Sequence, residues 1–97
     1  MTPQHAEDIA LRALAWLCRD DELLPVFLAT SGAGPDDLRT ALSAPEGPDA
    51  GMLGAALDFI LMRDDTVIAC ARALGLPNDR LALAAAMLSG RAGMHWT

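Results

Sequence analysis

At 97 residues the chain is the length of one domain, and 53% of it is hydrophobic, ample material for a core. Thirteen acids against seven arginines and no lysine leave a net charge of −6. That balance argues against nucleic acids and anionic membranes as partners, which demand clustered positive charge, and favours a basic or polar protein surface.

The first helix is predicted from Thr2 or Pro3 to about Cys18. Thr2 suits an N-cap and Pro3 the first helical position, and Glu7-Asp8 lies near the positive end of the helix dipole. Asp8, Arg12, Ala15 and Arg19 fall on one face, and Ile9, Ala10, Ala13, Leu14, Trp16 and Leu17 cover most of the rest. Asp20-Asp21-Glu22 interrupts the chain and caps a second helix through Val26, Phe27 and Leu28, with Pro25 in its first turn. Gly32 stops it, and Pro35-Asp36-Asp37 starts a short third helix carrying Leu38, Ala41 and Leu42.

Residues 43–51 hold two prolines, two glycines and two acids, which predicts a linker. A fourth helix follows from Asp49 or Met52 to Met62. Asp64 and Asp65 are expected to cap a fifth, which Gly75 ends, and a sixth runs from Pro77 to about Ser89. Residues 90–97 then read as a tail. No period-two alternation is sustained anywhere, so no strand is expected.

The punctuation occurs twice. Arg19-Asp20-Asp21, Gly32 and Pro35-Asp36-Asp37-Leu38 are answered by Arg63-Asp64-Asp65, Gly75 and Pro77-Asn78-Asp79-Arg80-Leu81. The expected fold is therefore all-α, a compact bundle of five or six short helices with an approximate internal two-fold repeat. One domain spans 1–97, built of units 3–44 and 52–89. Its core should contain Leu14, Trp16, Leu17, Phe27, Leu28, Leu57, Phe59, Ile60, Leu61, Ile68, Leu74 and Leu81.

Chemistry is nearly absent from the pattern. His5 and His95 stand near the two ends with no nucleophile beside them, no i,i+4 histidine pair or CxxC suggests a metal, and no Gly-rich loop precedes a lysine. The aspartate pairs at 20–21, 36–37 and 64–65 all fall where a helix begins, so capping explains them without catalysis. Cys18 and Cys70 lie inside helical patterns, as small buried hydrophobes do. The run from Cys70 through Gly75 to Ala84 has the apolar spacing of a helix-turn-helix. Its second helix offers Asn78, Asp79, Arg80, Ala82 and Leu83, too acidic and alanine-rich a surface to hold phosphates.

No catalytic, cofactor-binding or metal-ligating residue is therefore assigned. The start Met1-Thr2-Pro3-Gln4-His5 lacks the basic and apolar regions of a signal peptide, and runs such as Ala82 to Leu88 are far short of the roughly 20 apolar residues that span a bilayer. A cytoplasmic chain is expected.

Several segments carry a resemblance. Ala6-Glu7 with Ala13-Leu14-Ala15-Trp16-Leu17, Leu28-Ala29-Thr30-Ser31-Gly32, Pro35-Asp36-Asp37-Leu38-Arg39, Leu57-Asp58-Phe59-Ile60-Leu61 and the closing His95-Trp96 together resemble a family of small bacterial proteins, domain of unknown function 3572. The likeness implies a single all-helical domain and supplies no activity, cofactor or site residue.

The leading functional reading is a non-enzymatic protein-interaction or regulatory module. The alternative is a cytosolic binder of a small apolar ligand. An enclosed cavity above roughly 300 Å³ would favour the ligand, and a packed core with exposed apolar surface would favour the partner. Leu83, Met87, Met94 and Trp96 are the candidate partner-facing or tail-docking residues, because Leu81, Ala84 and Leu88 take the core face of the sixth helix and leave its other side apolar. Covering that side with the Trp96 tail in a monomer is favoured over a homodimer, since a local segment loses no association entropy.

Overall fold

Helix α1, Pro3–Arg19, buries Ala6, Ile9, Ala10, Ala13, Leu14 and Leu17 completely. Their three- and four-residue spacing lays one stripe along the helix, and three of the six are alanine. The computed structural model describes the backbone of residues 1–93 and the side chains of residues 1–89. Five more helices follow: α2 Leu23–Ser31, α3 Pro35–Ser43, α4 Ala50–Leu61, α5 Asp64–Leu74 and α6 Asp79–Gly93. There is no strand among the described residues. The all-α bundle expected from the pattern is the fold.

Three of the helices make its centre. The α1 stripe packs against Leu53, Ala56, Leu57 and Ile60 of α4 and against Leu81, Ala84, Ala85 and Leu88 of α6, which also pack on each other. Small residues at these contacts let helix axes approach toward the short end of the usual 8–10 Å range. Phe27 of α2 plugs one side, its ring 5.5 Å from that of Phe59 in an edge-on arrangement. Helix α5 adds Cys70 and Ala71, and α3 adds only Leu38. The radius of gyration, 12.7 Å, matches the roughly 13 Å of a compact chain of this size.

Helix starts follow the aspartates, with one shift. Asp20 Oδ1 accepts from the amides of Glu22 and Leu23, both at 3.0 Å, and Asp49 Oδ1 accepts from Met52 at 2.8 Å. Thr2 Oγ1 accepts from His5, and Asp37 Oδ2 from Gly34. Asp64 and Asp65 are not the caps of α5. Arg63 holds the N-cap position, and both acids lie in the first turn, where Asp65 accepts from the Thr66 amide and pairs with Arg63. A carboxylate there still complements the helix dipole. That ion pair is solvent-exposed and contributes little.

Other boundaries and faces also differ from expectation. Helix α6 runs on to Gly93, so the segment 90–93 is helical rather than tail. An interior glycine costs only about 1 kcal/mol in a helix, and nothing in that stretch forbids one. The linker shrinks to residues 44–49, closed by a turn in which Gly47 donates to Ala44. Ile68, expected in the core, is 43% exposed. Cys70, Ala71, Val67 and Leu74 define the inner face of α5, and Ile68 lies well round the helix from them. Trp16, Leu28, Phe59, Leu61 and Leu74 flank the core half-buried.

The two-fold relation between the halves is not confirmed. Its punctuation is real, for Gly32 and Gly75 both end helices in the left-handed region, at φ 79° and 71°. The packing is not alike: α6 lies in the central trio, whereas its counterpart α3 sits at the periphery. Among the described residues, the Arg12 guanidinium reaches across the halves to donate to the Leu74 carbonyl at the end of α5, 2.8 Å away.

Two glycines should respond oppositely to alanine. At Gly75 the left-handed turn places the Leu76 amide 2.8 Å from the Ala71 carbonyl, so Gly75→Ala should lower unfolding stability by about 1–2 kcal/mol. Gly54, inside α4, has nothing within 4 Å of where a Cβ would stand, and Gly54→Ala should raise stability by about 0.5–1 kcal/mol. Urea titrations of the two variants check both signs.

Candidate functional site

Some of the apolar side chains left outside the core line grooves open to solvent. One, of about 310 Å³, runs between α1, α2 and α3 and is lined by Cys18, Leu24, Leu28, Pro35, Leu38 and Leu42, with Arg39 and Ser43 at its edge. A second, of about 250 Å³, lies between α2 and α4. Phe27 and Phe59 form its floor, Ala55 and Met62 one wall, and Thr30, Ser31 and Asp58 supply polar atoms. Two further clefts, about 430 and 230 Å³, are made by the linker around Glu46, Gly47 and Pro48 and are more polar.

Each groove is built by local sequence. Asp20 Oδ1 holds the start of α2 and the left-handed Gly32 ends it, after which α3 supplies Pro35, Leu38 and Leu42 to the same groove as Leu24 and Leu28. In the second groove, Phe27 and Phe59 meet because each is the aromatic on the inward side of its helix. Met62 follows the end of α4 and is 70% exposed. Asp58 has no hydrogen bond or ion pair with another described residue.

The residues nominated from sequence separate. Leu83 is exposed on the outside of α6, together with Ala82 and Ala86. Met87, expected beside it, is half-buried against the core. Met94 and Trp96 lie outside the described residues, and with them the proposed tail cover of α6. What sequence reasoning missed is the α2–α4 groove. Its signal in the sequence is the pair Phe27 and Phe59, which the helical spacing places in the core.

Burial raises both thiols above their ordinary value, Cys70 to about 11, so neither is an activated thiolate. No group of three or more His, Cys, Asp or Glu among the described residues is placed to hold a metal ion. No helix among them is long and apolar enough to cross a membrane.

Comparison with known proteins gives one match. A family model described as protein of unknown function (DUF3572) matches residues 3–91, nearly the whole chain. No curated protein and no solved structure matches.

The raised thiol of Cys70 has a consequence for stability. Because the folded state holds its proton more tightly than the unfolded chain does, the contribution is fully present below pH 9 and is lost as pH rises toward 11. Stability should therefore fall across that window, and Cys70→Ala should flatten the slope while lowering the plateau. Denaturant midpoints measured from pH 8 to 11 test this.

Proposed function

The chain belongs to the DUF3572 family of proteins of unknown function, and we propose that it is a non-enzymatic protein-interaction or regulatory module that works through helix surfaces. The observation that carries this reading is the contrast between core and surface. Most side chains at the centre have no exposure, while apolar side chains such as Leu28, Leu42, Phe59 and Met62 line grooves that are open to solvent. An enclosing pocket would bury most of a small ligand, whereas an open groove suits the ridge of another protein.

Residue chemistry points the same way. The aspartate pairs contribute to helix starts, and the thiols are held protonated. A net charge of −6 favours a basic or polar partner, and the cytoplasm is the compartment we propose. Leu83 and Met87 on α6, with Met94 and Trp96 beyond it, remain candidates for partner contact.

Immobilised full-length chain should recover a partner protein from native lysate. Leu42→Glu, Met62→Glu and Leu83→Glu each alter an exposed side chain, so all should fold, and at least one should abolish most of that recovery. Recovery unchanged in all three, or a small apolar molecule retained by the purified chain in native mass spectrometry, would favour the ligand-binding alternative.

A further inference from the structure

Resting on the interaction-module reading, we propose that the groove between α2 and α4 receives a basic amphipathic helix of a partner protein, with apolar side chains on Phe59 and Met62 and a lysine or arginine at Asp58. Size selects the kind of occupant. At about 250 Å³ and open to solvent, the groove falls below the roughly 300–1,000 Å³ of small-molecule pockets, and its size suits side chains presented by a partner helix.

Charge selects its sign. Asp58 is the one charged residue lining this groove, it has no partner among the described residues, and the whole chain carries −6. Local and global fields therefore favour the same cationic occupant. The α1–α2–α3 groove makes no such choice, since Arg39 at its edge is two and three residues from Asp37 and Asp36. Met62 supplies the remaining argument. A methionine left 70% exposed beside the groove's aromatic pair buries little of its side chain in this fold, and its unbranched thioether adapts readily to an incoming apolar surface.

The probe is a synthetic amphipathic helix of leucine and lysine, about 18 residues long so that it is helical when bound, with a leucine–glutamate helix as its counterpart. Binding to the full-length chain is measured by calorimetry at moderate salt. The lysine helix should bind and the glutamate helix should not. Asp58→Asn should weaken binding roughly threefold to fivefold, the range of a partly exposed ion pair. Met62→Gln should weaken it by about tenfold through lost apolar contact. Asp21→Asn, an exposed acid outside the groove, should leave binding within about twofold if general surface charge is not responsible. Equal binding by both helices, or equal losses in Asp58→Asn and Asp21→Asn, overturns the assignment of this groove. Absence of lysine-helix binding, while the chain still recovers a partner from lysate, overturns the basic-helix occupant and leaves the module reading standing. Circular dichroism on each variant separates loss of binding from loss of fold.

Discussion

Close contact between α1 and the pair α4 and α6 is the constraint on which the rest of the structure depends. It requires alanine at Ala6, Ala10 and Ala13, at Ala56, and at Ala84 and Ala85, where larger side chains would push the axes apart. Leu14, Leu17, Leu57, Ile60 and Leu81 then fill the layers between, all of them without exposure. A chain of this length has few large residues to bury, and tight axes extract dispersion contacts from small ones. The remaining helices are placed relative to this trio. Phe27 brings α2 to it, Cys70 and Ala71 bring α5, and Leu38 alone brings α3.

Short connections are the corollary. Helices this brief are unstable in isolation, so each must begin and end where the trio can hold it. Carboxylates at the starts and left-handed glycines at the stops serve that end, so Asp20, Asp37 and Asp49 have structural roles at helix starts. Arg12 closes the last carbonyl of α5 from the opposite half of the chain. A feature that sequence reading places on the solvent face therefore also ties the two halves together.

The same economy shapes the surface. With the centre already closed by its alanines and a few leucines and isoleucines, several other large apolar residues stay outside it. Val26, Leu42, Met62, Ile68 and Leu83 remain more than two-fifths exposed, and half-buried Phe59 and Leu28 line grooves beside them. Exposed apolar surface on a small acidic chain is what an interaction module presents to its partner.

Much of this was legible in the sequence. Thr2-Pro3, Asp20, Asp49, Gly32 and Gly75 mark boundaries through local backbone physics alone, because a cap bonds amides within three residues and a left-handed turn needs only a missing Cβ. The buried stripe of α1 was likewise visible in its spacing. Other features depended on contacts between distant segments. The inner face of α5 is set by Cys70 and Ala71, residues too small to announce themselves, and so Ile68 was misplaced. Equal punctuation did not reveal that α6 enters the centre while α3 stays outside, since that follows from which stripe meets α1 and α4. Nor could it show that Phe27 and Phe59 meet to floor a groove. Helix identity is decided within a few residues along the chain; which face is covered, and which is left exposed, is decided only by what the folded chain brings beside it.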